Sequence, residues 1–374
     1  MTEFDSGRRA TLTGAAALTG LGALPVLAAQ RRPLRLSLLG QALLENDLRT
    51  QVWPDRERVS ALVRHGEIGF TNLETVIRSS IVGTATREEL TLHAGEPVVI
   101  DCLKSLGITL VATSNNHTFD LGQGGVLSTL TALDAAHLPH AGSGIDLDHA
   151  AAAGFATTKT GTRVALVGFA TGKVRDGGAA SPTRPGVNEV REDSPGVLNA
   201  QDLARVHAAL AEGAKTAEVV IAYQHNHLWG DDMAITAPWQ RQLAKRCIDA
   251  GATVFVSHGA PLLHGMELYK NAPLFYGLGN FIFQTETPPG TYPQRVWDGL
   301  IVDCQISGAG KPRIGFIPIV LNDTGLGGPS DMATRGRPSL AGTVDATRIL
   351  ADFAARSKAF GVTIAIRDGV GLLV

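Results

Sequence analysis

Segments with strand character alternate with segments of helical character from Leu34 onward. The apolar runs LRLSLLG, IGFTNLE and ITLVATSN are predicted strands, and stretches with apolar residues at helical spacing separate them. A predicted hairpin follows at residues 154–170, and a loop rich in Gly, Pro and Ser at residues 171–195 precedes further strands and helices. This alternation predicts a layered α/β fold, and no linker divides residues 34–374 into two domains.

Polar side chains follow the predicted strands at the points where the strands end. In order along the chain they are Gln41, Asn72, Glu74, Asn115, Asn116, His117, Asp120, His225, His227 and His258. In open α/β sheets, binding sites form at the carboxyl ends of strands. Each residue alone has an ordinary explanation as a turn or surface residue, but an acid, an amide and three histidines at four strand exits together predict a site.

The ligand types at these exits suit a divalent metal. Carboxylate, amide carbonyl and imidazole groups bind Mn²⁺, Fe²⁺ or Zn²⁺. The chain has eleven histidines. Six of them are interpreted as loop or helix-surface residues without a role in the site: His65, His93, His137, His140, His149 and His207.

The first residues of the chain have the layout of an export signal. Arg8 and Arg9 precede a weakly apolar stretch rich in Ala and Gly, and small residues follow Pro25. The paired arginines predict a twin-arginine signal peptide at residues 1–29, and hence a periplasmic or extracellular protein with no stable membrane span after cleavage. The alternative, a transmembrane anchor, is disfavoured by the glycines and threonines of the segment.

The charge and the cysteine content of the chain bear on its partners and on its disulfide bonds. The net charge is −2, which provides no basic field for nucleic acid. No run of Lys or Arg surrounds the predicted site, and Arg175, Arg184 and Arg191 in the long loop are interpreted as solvated. The three cysteines stand in apolar contexts and are predicted to be buried, with a single disulfide as the alternative.

Five motifs occur in a fixed order between Leu34 and Val320. They are F-x-N-L-E, N-N-H-x-x-D-x-G, a strand that ends in His near Trp, H-G-x-P, and G-M-E-L-Y-K-N-A-P-L-F-Y-G-L-G-N-F-I-F. This order resembles the CapA-like proteins, the capsule and poly-γ-glutamate synthesis family related to calcineurin-like metallophosphoesterases. The resemblance implies a four-layer αββα sandwich of the metallophosphoesterase type, with a site at one edge of the sheets.

The resemblance also implies roles for the residues at the strand exits. The implied metal ligands are Glu74, Asn116, His225 and His258. The implied catalytic residues are His117 as general acid, Asp120 as the group that orients it, and His227. The residues expected to bind substrate are Gln41, Asn72 and Asn115.

Two positions depart from the family pattern. The first strand of the family normally ends in Gly-Asp, and here it ends in Gly40-Gln41. The fifth motif normally carries a second histidine three residues after the first, and here that residue is Pro261. Both missing ligands belong to the same metal position, so at most one divalent ion is expected and two-metal phosphatase chemistry is in doubt.

Three functions remain open on the sequence. The first is an exported metal-dependent hydrolase that acts on a poly-γ-glutamate, a peptide or another cell-envelope polymer. The second is a metal-free acid–base catalyst, such as an epimerase or lyase, that moves protons next to a carbonyl. The third is a non-enzymatic accessory protein of capsule or poly-γ-glutamate synthesis.

Overall fold

The computed structural model describes residues 33–81, 83–307 and 310–374. The predicted signal peptide at residues 1–29 lies outside the described residues. The chain from Pro33 to Val374 forms one compact unit by its internal contacts. Within the described residues, no helix is both long enough and apolar enough to cross a membrane.

Strands dominate the described part of the chain, and several are only two or three residues long. The strands are β1 (Leu34–Leu39), β2 (Gln41–Leu43), β3 (Ile68–Asn72), β4 (Val76–Ile77), β5 (Ala94–Gly95), β6 (Leu110–Ala112), β7 (His140–Ala141), β8 (Ser143–Gly144), β9 (Gly154–Thr157), β10 (Arg163–Thr171), β11 (Gly186–Val187), β12 (Glu192–Ser194), β13 (Val197–Leu198), β14 (Val219–Asn226), β15 (Val254–His258), β16 (Met266–Tyr269), β17 (Ala272–Phe275), β18 (Asn280–Phe283), β19 (Asp298–Ile306), β20 (Arg313–Leu321), β21 (Pro338–Leu340), β22 (Ile364–Arg367) and β23 (Val370–Leu373).

The helices connect consecutive strands of the two main sheets. They are α1 (Arg56–Val63), α2 (Val98–Leu106), α3 (Gly122–Ala135), α4 (Leu147–Ala151), α5 (Ala200–Thr216), α6 (Pro238–Asp249) and α7 (Thr343–Lys358). Two helix starts follow from local chemistry. The side chain of Asn199 caps α5 by accepting from two backbone N–H groups, and Pro238 occupies the first turn of α6, where no N–H is needed.

Two mixed sheets form the centre of the fold. The larger has nine strands in the order β22-β23-β20-β19-β1-β3-β6-β7, with β21 beside β20. The smaller has six strands in the order β16-β17-β15-β14-β10-β9. In the larger sheet β1, β3, β6 and β7 are parallel, and in the smaller sheet β10, β14, β15 and β17 are parallel. The carboxyl ends of each parallel set therefore lie at one edge of their sheet.

The strands bury side chains on both faces, which explains their continuous apolar runs. Leu38 belongs to an apolar cluster that contains residues of both sheets, whereas the next residue, Leu39, belongs to a cluster with α1 and α2. Likewise Leu166 is part of the shared cluster, and Val167 packs with α5 and α6. Alternate residues of one strand thus pack against the second sheet and against helices. The predicted α/β class is confirmed.

The long loop predicted at residues 171–195 is more ordered than the sequence indicated. It contains the short strands β11 and β12. Arg191, which we expected to be solvated, donates to both carboxylate oxygens of Asp202, a buried residue of α5. The three cysteines, Cys102, Cys247 and Cys304, are buried and free, as the apolar contexts predicted.

Candidate functional site

The side chain of Asn115 shapes the turn that follows β6. Its amide nitrogen donates to Asn72 Oδ1 (3.0 Å) and to the carbonyl of Leu73 (2.7 Å). Its Oδ1 accepts from the backbone N–H of His117 (3.0 Å). These bonds join the ends of two neighbouring parallel strands, and they fix the positions of Asn116 and His117 at the edge of the larger sheet.

Donor atoms from three segments of the chain meet around the Nε2 atom of His225. Asn116 Oδ1 lies 2.8 Å from this atom, His227 Nε2 lies 3.1 Å away and Glu74 Oε1 lies 3.6 Å away. The ligand atoms of Glu74, His225 and His227 all lie within 4.8 Å of one another. In a tetrahedral site with metal–nitrogen bonds of about 2.0–2.1 Å, neighbouring donors are about 3.3 Å apart. The group therefore has the dimensions of a site for one ion.

This group differs from the predicted ligand set because it contains His227, which we had assigned a catalytic role, and not His258. The physical reason is the two-residue period of a strand. The backbone N–H of His227 donates to the carbonyl of Thr171 (2.7 Å), so the extended pairing of β14 continues to this residue. His225 and His227 therefore point to the same face. His258 lies beside His225 on the neighbouring strand β15.

Several buried polar atoms in this region have no hydrogen-bond partner among the described residues. They are Glu74 Oε2, His227 Nδ1 and both ring nitrogens of His258. Buried polar atoms are nearly always hydrogen-bonded, so unpaired ones indicate a binding partner. One carboxylate, one amide oxygen and two or three imidazoles form a donor set that fits a divalent ion of the Mn²⁺, Fe²⁺ or Zn²⁺ type.

Burial determines the protonation states of these groups. It raises the pKa of Glu74 to about 8, and the nearby Asp120 carboxylate adds to this rise. Burial lowers the pKa of His258 to about 3, and it lowers the pKa values of His225 and His227 well below the ordinary value. The three imidazoles are therefore neutral at pH 7, as metal ligation requires. Glu74 carries a proton at that pH unless a cation displaces it.

A buried tyrosine orients His225. The Tyr223 hydroxyl lies 3.2 Å from His225 Nδ1, and both side chains are buried. A metal-binding histidine usually donates its other ring N–H to a protein acceptor, which leaves one nitrogen with a free lone pair. When Nε2 binds a cation, Nδ1–H can donate to the tyrosine oxygen, whereas without a cation Nε2–H donates to Asn116 Oδ1 (2.8 Å).

His117 and Asp120 form a hydrogen-bonded pair beside this group, in the arrangement that the sequence predicted. His117 Nδ1 lies 2.8 Å from Asp120 Oδ2. Asp120 is fully buried, and it also accepts from Arg87 Nε and from the backbone N–H of His93. Burial lowers the pKa of His117 to about 4, although the bond to Asp120 opposes this change. At pH 7 the ring is therefore neutral, and its Nε2 is available for proton transfer.

Gln41 connects the first strand exit to the last. Its Oε1 accepts from the backbone N–H of Gly259 (3.0 Å), directly after β15. Gly259 has a φ of 119°, and a Cβ there would lie 2.0 Å from the carbonyl oxygen of Asn226, so no larger residue fits. The three residues predicted to contact substrate are all buried: Gln41, Asn72 and Asn115. Their contact with substrate stays a prediction.

A basic cavity of about 420 Å³ lies next to the His117–Asp120 pair. Its lining residues are Thr86, Arg87, Lys173, Val174, Arg175 and Asp176. The Lys173 ammonium lies 5.2 Å from the centre of the Trp229 ring, which in turn lies 4.8 Å from the His227 ring. Arg175, which we expected to be solvated, lines this cavity. The fold brings its cations together from two distant segments, which is why no basic run is visible in the sequence.

Arg87 and His93 are site residues that the strand-exit reasoning missed. Both belong to the stretch between β4 and β5, and both donate to Asp120. We had interpreted His93 as a loop residue. Neither position follows a long apolar strand, so periodicity contains no signal for them.

Comparison with known proteins shows which family the chain is similar to. The model of the family described as bacterial capsule synthesis protein PGA_cap matches residues 35–285. That range includes all ten strand-exit residues from Gln41 to His258. Family similarity therefore covers the smaller sheet, the parallel strands of the larger sheet and the whole donor group, and it ends before β19.

Curated relatives extend the comparison beyond the family model. An uncharacterised protein of Sinorhizobium fredii (y4sH) is 28% identical, with 90% of this chain and 92% of the relative covered. The capsule biosynthesis protein CapA of Bacillus anthracis is 31% identical over 49% of this chain and 42% of the relative. The PGA biosynthesis protein CapA of Bacillus subtilis is 28% identical over 60% of this chain and 54% of the relative. A probable polyglutamine synthesis accessory protein of Mycobacterium tuberculosis (Rv0574c) is 28% identical over 62% of this chain and 59% of the relative.

Proposed function

The chain belongs to the bacterial capsule synthesis protein family PGA_cap, and on this premise we propose that it is an exported hydrolase of a cell-envelope polymer. The polymer is a poly-γ-glutamate or a related peptide, and the Bacillus relatives are named for capsule biosynthesis and PGA biosynthesis. The donor group would hold one divalent ion that assists the reaction. The observation that carries this proposal is the convergence of Glu74, Asn116 and His227 on the Nε2 atom of His225.

Each residue of the site has a distinct part in this proposal. Glu74, Asn116, His225 and His227 would hold the ion, which would polarise a carbonyl oxygen and lower the pKa of a bound water. In this proposal the attacking water forms the new C–O bond and gives a proton to His117 Nε2, which delivers it to the leaving amine as the C–N bond breaks, while Asp120 keeps Nδ1–H in place. The lowered pKa of His117 makes its protonated form a strong acid, which favours this transfer.

The basic cavity supports an anionic substrate. Arg87, Lys173 and Arg175 outnumber the single acid, Asp176, in its lining. Each residue of a γ-linked glutamate chain carries a free carboxylate, which such cations bind with charge-assisted hydrogen bonds. In this proposal the cavity holds a carboxylate next to the scissile amide, close to His117.

The wider organisation of the protein is part of the same proposal. Two sheets that share one apolar cluster, each with helices on its other face, support a four-layer αββα sandwich of the metallophosphoesterase type. Residues 1–29 are proposed to be a twin-arginine signal peptide, and residues 34–374 a single domain that functions in the periplasm or outside the cell. Nucleic acid is not a proposed partner.

A metal-free acid–base catalyst is the second candidate. The specific observation in its favour is the His117–Asp120 pair, which is complete without an ion. A non-enzymatic accessory role is the third, and the printed name of the Mycobacterium tuberculosis relative favours it.

Metal analysis combined with a degradation assay separates the three candidates. The purified mature protein is analysed for bound metal and incubated with poly-γ-glutamate, and chain length is followed by gel filtration with and without EDTA. We expect shortening that EDTA abolishes. His225→Ala should abolish it too, whereas His264→Ala, which changes a buried histidine outside the donor group, should retain it. Cleavage that persists in EDTA would favour a metal-free lyase, an intact polymer with altered glutamate stereochemistry would favour an epimerase, and an intact polymer of unchanged stereochemistry with every metal supplied would favour the accessory role.

A further inference from the structure

A second carboxylate–histidine pair lies directly against the first. His93 Nδ1 is 2.5 Å from Glu45 Oε1, and the two side chains are only 9% and 13% exposed. An ionised carboxylate can only accept a hydrogen bond, so the hydrogen of this contact belongs to His93 Nδ1.

The backbone of His93 is tied to the His117–Asp120 pair. Its N–H donates to Asp120 Oδ2 (3.0 Å), the same oxygen that accepts from His117 Nδ1. Its carbonyl accepts from the backbone N–H of Val76 (3.0 Å), which fixes the residue from the other side. Any shift of His93 therefore displaces Asp120, and with it the histidine that Asp120 orients.

The His93 ring also packs on the His117 ring. The ring centres are 4.6 Å apart with an interplanar angle of 62°, which is an edge-to-face contact. Rotation of the His117 ring would require the His93 ring to move, and the short bond to Glu45 holds that ring in place. Glu45 also lines a cavity of about 550 Å³ that shares Arg87 with the basic cavity. The second pair thus extends from the His117 ring to a cavity beside the site.

We propose that Glu45 and His93 are positioning residues that hold Asp120 and the His117 ring in the orientation required for proton transfer. This inference rests on the proposed hydrolysis, because His117 acts there as the general acid. A general acid contributes only when its reacting nitrogen is aligned with the substrate, so loss of alignment reduces turnover more than binding.

The test uses the full mature chain with ¹⁵N-labelled histidine and poly-γ-glutamate as substrate. The variants are Glu45→Leu, which keeps a similar side-chain size but removes the acceptor oxygen, and His93→Gln, which removes the ring. His264→Gln is the matched control, a buried histidine that contacts Thr236 instead of the site. We expect kcat to fall about tenfold or more in both test variants, with KM within about twofold of the wild-type value. The Nδ1–H resonance of His117 should move in both variants and stay in place in the control.

Two readouts keep this inference separate from the proposed function. If the wild-type protein does not cleave the polymer, the hydrolase proposal fails, and the histidine resonances alone decide the positioning role. If His93→Gln does not fold, Glu45→Leu supplies the decision. Folded variants with wild-type kcat and an unmoved His117 resonance would overturn the inference.

Discussion

Replacement of Glu74 with Gln should stabilise the metal-free protein at neutral pH and weaken the metal-loaded protein. Glu74 is buried, one of its oxygens has no partner among the described residues, and burial raises its pKa from 4.5 to about 8. The unfolded chain exposes this carboxyl group and loses its proton near pH 4.5. Folding at pH 7 without a cation therefore requires uptake of a proton, which opposes folding.

The size of this effect follows from the two pKa values. The distance from 4.5 to pH 7 is about 2.5 pH units, and each unit corresponds to about 1.36 kcal/mol. The wild-type carboxyl therefore opposes folding by about 3 kcal/mol at pH 7. The folded-state pKa is the raised one. Protonated Glu74 therefore leaves stability undiminished below about pH 4.5, and stability is lost as the pH rises towards 8. Glutamine is neutral throughout and avoids the loss.

The assay is unfolding in EDTA at pH 4.5, 7 and 8.5. For a unit of this size, about 3 kcal/mol corresponds to an increase in Tm of about 4 °C for Glu74→Gln at pH 7. The gain should be absent at pH 4.5 and largest at pH 8.5. Addition of Zn²⁺ or Mn²⁺ at about 1,000 Kd should reverse the order, because the wild-type protein then gains about 4.1 kcal/mol, more than the advantage of about 3 kcal/mol that the variant has in EDTA, and the variant gains less.

Glu57→Gln is the matched control for this experiment. Glu57 is 78% exposed at the start of α1, so its neutralisation should leave the pH dependence almost unchanged. If Glu74→Gln in EDTA were no more stable than the wild-type protein at pH 8.5, or if its advantage did not grow with pH, the assignment of a protonated, buried Glu74 would be refuted.

Three further expectations concern the metal count, the stability of the fold and export. Gln41→Asp combined with Pro261→His should raise the bound metal from at most one per chain towards two, and two ions in the unmodified protein would contradict the interpretation of these departures. Glu267→Gln should destabilise the protein by about 2 kcal/mol at pH 7, because this buried carboxylate holds two half-exposed cations and a tyrosine hydroxyl. Burial raises the pKa of Glu267, but these bonds outweigh burial and keep the pKa below its ordinary value. The difference between wild type and variant in urea unfolding should therefore shrink as the pH falls below the ordinary value, and it should disappear below the lowered pKa. Replacing Arg8 and Arg9 with Lys should leave the precursor in the cytoplasm when cells are fractionated, and normal export would refute the twin-arginine prediction.

The parts of the fold that sequence predicted well depend on local chemistry. The strand–helix alternation, the cap at Asn199 and the position of Pro238 each follow from a few neighbouring residues. The strand exits could be located because an apolar run must end where polar residues begin. The pairing of His117 with Asp120 was also accessible, because the two residues are three positions apart and lie in one turn.

The parts that sequence reasoning missed depend on contacts between distant segments. His93 and Arg87 meet Asp120 only because the stretch between β4 and β5 folds back over the end of β6. The proximity of His227 to His225 was accessible in principle, because the two are two positions apart and strand residues with that spacing share a face. We predicted His258 as a ligand on the strength of the family pattern, and that assignment stays a prediction.

The donor group draws its members from both sheets, and this has a mechanical consequence. Glu74 and Asn116 follow strands of the larger sheet, whereas His225 belongs to the smaller one. A cation bound by all three would act as a cross-link between the two halves of the core, in addition to the Gly259–Gln41 and His225–Asn116 hydrogen bonds at this edge. Amide hydrogen exchange should then slow in β3, β6 and β14 together on metal addition, as a single cooperative block, instead of only in the residues nearest the ion.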